Sequence, residues 1–117
     1  MNPARILSII LVAFGVFFLL RMILRMRGIA PTQLDELKAK GAQVIDVRTS
    51  AEFSSGHAAC SRNIPLDRLQ DRLGELDRGK PVIVCCASGS RSAFAKNLLE
   101  RAGFSEVHNA GPWQRVR

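Results

Sequence analysis

The sequence predicts one α/β domain with a parallel sheet flanked by helices, preceded by a single transmembrane helix. Three observations carry this prediction. Two short segments, VIDV at residues 44–47 and VIVC at residues 82–85, are almost wholly apolar, which is typical of strands covered on both faces in a parallel sheet. Leucines and alanines at helical spacing follow each segment. Residues 1–27 contain one long apolar run and no acidic residue.

The length and charge of the chain exclude two classes of protein. A chain of 117 residues is long enough for one domain, so a multidomain enzyme is excluded. The net charge is +7, but four of the 17 basic residues and none of the 10 acidic ones lie in residues 1–27, which leaves +3 for the rest. Acidic and basic residues interleave there, and no aromatic residues alternate with a basic stripe. We therefore predict no nucleic-acid partner.

The N-terminal apolar run predicts a membrane anchor. It reaches 19 residues between Ile6 and Leu24, provided that Arg21 extends its guanidinium to the interface. Such a helix is about 28 Å long, close to the thickness of a bilayer core. We predict that residues 1–27 form the anchor and its basic flank, with residues 5–24 in contact with lipid. A cleaved secretory signal and the core helix of a soluble fold are the alternatives. The first needs small residues after the run, and the second is rarely apolar all round.

The flanking charges predict an orientation for the single-pass anchor. Arg5 and the terminal amine lie at the N-terminal side of the span, whereas three arginines lie at its C-terminal side: Arg21, Arg25 and Arg27. Because basic residues stay on the cytoplasmic side, the C-terminal domain is predicted to face the cytoplasm, at a bacterial inner membrane. Three cysteines, two of them adjacent, are not a disulfide framework, and no Cys or His spacing is typical of a zinc site.

The first half of the folded domain, residues 28–117, begins with a short extended piece around Ile29. Pro31 then starts a short helix that ends at Gly41, and the strand GAQVIDV follows at residues 41–47. From Asp46 to Pro65 the pattern is irregular, with one helical turn near residues 51–54.

The second half contains two helices and two strands. Leucines spaced 3, 4 and 3 residues apart predict a helix that Gly79 ends, and they are Leu66, Leu69, Leu73 and Leu76. The strand PVIVC follows at residues 81–85. Residues 90–102 are predicted to be a helix with one apolar stripe, formed by Ala93, Phe94, Leu98, Leu99 and Ala102. A last short strand is predicted near residues 106–109.

The loop after PVIVC carries the chemistry. It reads CASGSRS from Cys86 to Ser92, between a strand and a helix. A thiol at this position faces backbone N–H groups and a helix N-terminus, which stabilise a thiolate. Gly89 lets the backbone close around a bound atom, Ser90 or Ser92 can cap the helix, and Arg91 supplies a cation for an anionic substrate. Cys86 is thus a candidate nucleophile, and a buried structural cysteine before an ordinary helix is the alternative.

This loop and three further segments, in the same order, resemble the rhodanese-like sulfurtransferase domain family. The segments are GIAPTQLDEL, then VIDVRTSAEFSSGH with NIPL, then GFSEVHNAGPW, and the resemblance covers residues 28–117. It implies a rhodanese-like parallel sheet and a catalytic Cys86 that accepts a sulfane sulfur as a persulfide and passes it on. It also implies substrate binding by the residues of the loop, which are Ala87, Ser88, Gly89, Ser90 and Arg91.

The resemblance implies substrates but no metal or organic cofactor, because sulfite leaves readily and thiolate attack requires no general acid. The partners are a small anionic donor such as thiosulfate and a thiol or cyanide acceptor, with a protein sulfur acceptor as a further candidate. Two other functions stay open. One is a membrane-tethered binding module without turnover. The other is a phosphatase or arsenate reductase that uses Cys85, since Cys85 and Arg91 are separated by five residues.

The remaining polar residues are predicted to be structural. Asp46 would be satisfied by backbone N–H groups, and Arg48 would pair with Glu52. His57 and His108 are expected to be scaffold residues rather than bases.

Three further predictions concern single residues. Trp113 closes the sheet edge, Cys85 is buried and points away from the loop, and Cys60 is a candidate resolving thiol for Cys86.

Overall fold

The structure is a computed structural model that describes residues 2–26 and 28–117. Arg27, part of the predicted basic flank, lies outside the described residues. Four parallel strands form one sheet in the order β2-β1-β3-β4. Their bounds are β1 Gln43–Asp46, β2 Ser61–Asn63, β3 Val82–Cys86 and β4 Val107–Pro112.

Helices cover both faces of this sheet, which confirms the predicted fold class. The α-helices of the described residues are α1 Pro3–Met26, which does not cover the sheet, and α2 Pro31–Ala39, α3 Ser50–Ser54, α4 Leu66–Leu69 and α5 Ser90–Arg101. Two 3-10 helices, Gln70–Glu75 and Trp113–Val116, follow α4 and β4.

The sheet separates two apolar clusters, because alternate side chains of each strand point to opposite faces. The first cluster lies beneath α4 and α5 and includes Ile45, Val84, Cys86 and Leu99. The second lies beneath α2 and the C-terminal 3-10 helix and includes Leu34, Val44, Cys85 and Val116. Strand β3 is fully buried along its length and contributes to both. Its carboxyl end therefore emerges in the middle of the sheet, where open parallel sheets bind ligands.

Helix α1 is the long apolar helix that the sequence predicts. The 22 residues Pro3–Leu24 have a mean hydropathy of 2.7, long and apolar enough to cross a membrane. None of this stretch is buried in the folded domain, which argues against a core helix of a soluble fold. The same length and composition are typical of a secretory signal.

Three predictions about elements are wrong. Strand β2 was expected to be irregular, yet it pairs with β1 although its residues are polar. The predicted helix from Leu66 to Leu76 breaks after Leu69 into a 3-10 helix with a kink at Arg72, while its leucines still pack against the first cluster. The predicted stripe of α5 is wrong in its first turn, where Ala93 and Phe94 are exposed and Ser92 and Ala95 are buried instead. Leu98, Leu99 and Ala102 pack against the first cluster as predicted.

Candidate active site

The site forms where strand β3 ends. Cys86 is the last residue of β3, and its side chain is buried in the first cluster, on the face that α5 covers. Residues 87–89 then lead into α5, and the N–H of Gly89 donates a hydrogen bond to Cys86 Sγ at 2.9 Å. The loop backbone therefore directs an N–H group at the sulfur.

Gly89 and Gly111 allow the loop to lie directly against β4. Gly89 has φ +108°, in the left-handed region that side chains rarely adopt. A Cβ on Gly89 would lie 3.2 Å from Gly111 Cα, so the facing backbone would have to move by a few tenths of an ångström to accept one. Gly111 also has a positive φ of +80° and follows a register shift in the pairing of β3 with β4. Glycine at position 89 is thus favoured both by its backbone conformation and by the close approach of β4.

The pKa of Cys86 is set by burial and by hydrogen bonds that oppose it. Burial alone raises the pKa of this thiol, but the Ser92 hydroxyl and three backbone N–H groups favour the thiolate. The three N–H groups belong to Ser92, Gly89 and Ser88. The hydrogen bonds outweigh burial, so the pKa of Cys86 lies below its ordinary value. A lowered pKa gives the reactive thiolate a larger share near neutral pH.

Ser92 and Asn109 form a polar pair behind the sulfur, and sequence reasoning did not identify Asn109. Ser92 Oγ lies 3.4 Å from Cys86 Sγ and 2.6 Å from Asn109 Oδ1. Asn109 is itself fixed, because its Nδ2 donates to the Gly89 carbonyl and its Oδ1 accepts from the Gly111 N–H. The Ser92 hydroxyl has one proton to donate. When Cys86 is a thiol, this proton can be donated to Asn109, and when Cys86 is a thiolate, it can be donated to the sulfur.

Arg91 lies in the first turn of α5 and is paired with Glu52. Its two terminal nitrogens bind the two carboxylate oxygens at 2.7 and 2.9 Å, a bidentate pair. The side chains of Arg91 and Glu52 are 35% and 36% exposed. Glu52 is held in place by the start of α3, where it forms a reciprocal capping pair with Thr49. The ion pair therefore ties α3 to the active-site loop.

The other loop residues present backbone rather than side-chain chemistry. Ala87, Ser88 and Ser90 are exposed at the mouth of the site. The hydroxyls of Ser88 and Ser90 lie 3.3 Å apart and interact with each other. The loop thus presents neutral backbone groups of Ser88 and Gly89 to the sulfur.

Cys85 lies on the opposite face of the sheet, in the second cluster, as predicted. Burial, with the nearby charge of Asp46 as the next cause, raises the pKa of its thiol to about 12. Helix α5, whose N-terminus follows Cys86, packs on the first cluster, on the other side of the sheet from Cys85. This placement argues against the phosphatase or arsenate reductase reading, which requires the Cys85 thiolate inside the loop.

A buried ion pair supports the carboxyl end of β1. Asp46 is fully buried and binds Arg48 through both carboxylate oxygens, at 2.7 to 3.0 Å. Asp46 also accepts a backbone N–H, that of Arg48, as predicted. The expected pair between Arg48 and the Glu52 carboxylate is wrong, because Arg48 donates to the Glu52 backbone carbonyl and the carboxylate binds Arg91. The Arg48 guanidinium stacks 4.7 Å above the Trp113 ring, which packs against the second cluster.

The remaining candidate residues have structural contacts. His57 Nδ1 donates to the Phe53 carbonyl at 2.8 Å, and its ring stacks on that of Phe53. His108 Nε2 lies 3.0 Å from a carboxylate oxygen of Glu106. Cys60 is an exposed free thiol whose Sγ donates to the Val116 carbonyl at 3.3 Å, on the side of the second cluster.

A buried thiol at the carboxyl end of a central parallel strand, with a loop N–H donated to its sulfur, defines an α/β domain with a cysteine in an anion-stabilising loop. Comparison with known proteins identifies the family. The chain matches the rhodanese-like domain over residues 30–110 and belongs to that family.

Two relatives and one solved structure show how far this similarity extends. The chain is 35% identical over 106 residues to the uncharacterized protein YqhL of Bacillus subtilis, across 89% of this chain and 84% of YqhL. It is 38% identical over 83 residues to the thiosulfate sulfurtransferase GlpE of Ectopseudomonas mendocina, across 71% and 76% of the two chains. The crystal structure of a rhodanese-related protein from Thermoplasma volcanium is similar with a TM-score of 0.66 at 36% identity, across 77% of this chain and 89% of that one.

Proposed function

We propose that the protein is a membrane-anchored sulfurtransferase that carries sulfur as a persulfide on Cys86. The Cys86 thiolate attacks the sulfane sulfur of a donor such as thiosulfate. The sulfur–sulfur bond of the donor breaks, and sulfite leaves with the bonding electron pair. A thiolate or cyanide then attacks the outer sulfur of the persulfide, and Cys86 leaves as a thiolate. The two steps balance without an oxidant, a metal or an organic cofactor.

The observation that carries this proposal is the hydrogen bond from the Gly89 N–H to Cys86 Sγ. The loop that supplies it stabilises negative charge on sulfur in the thiolate and in the persulfide alike. In the proposal the backbone of Ala87, Ser88, Gly89 and Ser90 binds the outer sulfur. The similarity to the GlpE sulfurtransferase supports this activity.

Arg91 has two roles in the proposal. Its pairing with Glu52 supports a role in holding the loop, because the pair joins α3 to the start of α5. A donor anion at the loop would share the guanidinium with Glu52, since Arg91 has five N–H donors in all. A free thiol, cyanide or a protein cysteine is the acceptor in this scheme.

The membrane anchor is the second part of the proposal. The apolar and exposed helix α1 supports contact of residues 5–24 with the bilayer. Residues 28–117 make up about three quarters of the chain. The match to YqhL covers 89% of the chain, so it includes part of α1. The relative YqhL thus shares sequence with the proposed anchor. The excess of arginine after the helix favours a domain on the cytoplasmic side of an inner membrane.

Mass spectrometry of the full chain in detergent micelles tests the activity. After incubation with thiosulfate, the wild type and the Cys85→Ser variant should each gain one reducible sulfur, and Cys86→Ser should gain none. Sulfur on Cys86→Ser but not on Cys85→Ser would move the chemistry to Cys85. No sulfur on any folded form would favour the binding module.

Fractionation tests the anchor. The full chain expressed in bacteria should stay with the membrane after a carbonate wash, whereas residues 28–117 expressed alone should not. Recovery of a shortened mature chain in the periplasm would instead identify α1 as a cleaved signal.

A further inference from the structure

The ion pair of Arg91 and Glu52 places two opposite charges beside the active-site loop. Arg91 is two residues after Gly89, whose N–H reaches Cys86 Sγ, so the Cα atoms of these two loop residues are no more than about 7.6 Å apart. Hydrogen bonds with Glu52 chiefly raise the pKa of Arg91, and the charges of Glu52 and of a Cys86 thiolate contribute. The charges of the pair therefore act on a negatively charged donor at the loop.

Glu52 compensates the charge of Arg91 in a fixed geometry. Both terminal nitrogens of Arg91 bind the carboxylate, at 2.7 and 2.9 Å. Glu52 Oε1 also accepts hydrogen bonds from the N–H and the hydroxyl of Thr49, at 3.2 and 3.1 Å. Arg48 Nη1 donates to the backbone carbonyl of Glu52 at 3.3 Å, which holds the backbone of α3 in place. The carboxylate is therefore kept at the guanidinium, and the pair presents no net charge to a donor.

The net charge of the pair matters because sulfane sulfur donors differ in charge. Thiosulfate carries two negative charges, whereas an organic persulfide or a thiosulfonate carries one. The attraction between a guanidinium and an anion grows with the charge of the anion. An arginine without a carboxylate beside it would therefore favour thiosulfate over a singly charged donor. Arg91 has Glu52 beside it, so this preference is reduced.

We propose that Glu52 is a specificity-determining residue that lowers the preference of the site for doubly charged donors, a proposal that rests on the proposed sulfurtransferase function. The class of donor that it favours is a sulfane sulfur compound with one negative charge. In the reaction with a thiosulfonate, the Cys86 thiolate attacks the terminal sulfur and forms a sulfur–sulfur bond. The sulfur–sulfur bond of the donor breaks, and a sulfinate leaves with the bonding electron pair. Atoms and charges balance without a further reactant.

Two donors that differ in charge test the proposal. The full chain in detergent micelles is mixed with thiosulfate or with methanethiosulfonate, and the second-order rate constant of persulfide formation on Cys86 is measured by mass spectrometry. The quantity compared among variants is the ratio of the rate constant for thiosulfate to that for methanethiosulfonate. Both donors react at the same loop, so a substitution that only loosens the loop slows both reactions and leaves this donor ratio unchanged.

Three variants change the charge of the pair in steps. Glu52→Gln leaves Arg91 without its compensating charge and should raise the donor ratio about three- to fivefold at low salt. Arg91→Gln leaves the Glu52 carboxylate alone and should lower the donor ratio by a similar factor. The double variant has no net charge, as the wild type has none, and should return to the wild-type ratio. Both shifts should shrink as the ionic strength rises, because salt screens partly exposed charges.

The control and the outcomes separate this proposal from the proposed function. Glu75→Gln is the matched control, since Glu75 pairs with Arg62 and Arg72 instead of an arginine of the loop, and it should leave the donor ratio unchanged. A donor ratio that stays constant in both single variants, or shifts in the same direction in both, would overturn the role of Glu52. Sulfur loading on Cys86 would then still support the sulfurtransferase. A wild type that takes sulfur from neither donor would overturn both proposals.

Discussion

Cys85 and Cys86 are adjacent in β3, but their thiols lie on opposite faces of the strand and have different surroundings. Cys85 packs among apolar side chains beside the buried Asp46, and its pKa is raised to about 12. Cys86 is also buried, but loop N–H groups and a hydroxyl reach its sulfur, and its pKa is lowered. Burial alone therefore does not decide the reactivity of a cysteine. The reactivity is decided by the hydrogen-bond donors at the end of the strand and at the start of the following helix.

Substitutions on the Cys85 face should cost stability and leave the chemistry of Cys86 intact. Asp46→Ala should lower the free energy of unfolding by about 3 to 5 kcal/mol, because it leaves the Arg48 charge buried without its carboxylate. The side chains of this pair are 0% and 5% exposed. Urea denaturation of the full chain in micelles measures the change.

Glu75→Ala provides the matched control for Asp46→Ala. Glu75 pairs with Arg62 and Arg72 on the surface, so the loss should be no more than about 1 kcal/mol. Similar losses in the free energy of unfolding for the two variants would contradict the expectation that the buried pair of Asp46 and Arg48 stabilises the fold more than the exposed pairs of Glu75 do.

Substitutions on the Cys86 face should act on the loop. Gly89→Ala places a Cβ at a positive φ, which costs about 1 to 3 kcal/mol, and directs it at Gly111 Cα. We expect the loop to shift, the donor to Cys86 Sγ to be lost and persulfide formation to slow at least about tenfold. Gly74→Ala is the control, since no atom lies within 4 Å of its added Cβ. Persulfide formation by Gly89→Ala at the wild-type rate would show that the loop N–H is dispensable.

The hydroxyl of Ser92 should have a smaller effect on the same thiol. Ser92→Ala removes one donor to Cys86 Sγ and should raise the pKa of Cys86 by about one unit, the equivalent of one hydrogen bond. The pH dependence of alkylation measures this shift. The exposed Ser105→Ala should leave the pKa unchanged. A pKa that does not rise in Ser92→Ala would assign the stabilisation of the thiolate to the backbone alone.

The Glu52 pair should have the smallest effect and a defined dependence on pH. The pKa of Glu52 falls from 4.5 to about 2, chiefly because of its hydrogen bonds with Arg91 and then with the Thr49 backbone. The ionised Glu52 carboxylate is stabilised in the folded protein. Its contribution to the free energy of unfolding is therefore complete above the pKa that Glu52 has in the unfolded chain, and it disappears as the pH falls through about 2. The Tm of Glu52→Gln should thus lie below that of the wild type at pH 7 and converge with it towards pH 2. A Tm difference independent of pH would contradict this.

The sequence was informative where local pattern determines structure. The apolar runs of β1 and β3 predict buried parallel strands, and the position of CASGSRS after β3 predicts a thiol near a helix N-terminus. Both follow from residues that are neighbours in the chain. The face of Cys85 could be predicted as well, because alternate residues of a strand point to opposite sides.

The sequence was uninformative where the contacts come from distant segments. Strand β2 is polar, and its pairing with β1 defines it as a strand. Glu52 is 39 positions from Arg91, and Asn109 is 17 positions from Ser92. Phe94 is exposed while Ser92 is buried and bonded to Asn109, and no helical period in the sequence reveals that contact.

Site-resolved alkylation as a function of pH tests the difference between the two thiols most directly. The full chain in micelles is treated briefly with iodoacetamide between pH 5 and 10, and the labelled peptides are quantified for each cysteine by mass spectrometry. Cys86 should be labelled with an apparent pKa below that of an ordinary thiol, while Cys85 stays unlabelled over the whole range. Labelling of Cys85 before Cys86, or an apparent pKa of Cys86 above the ordinary value, would contradict the account.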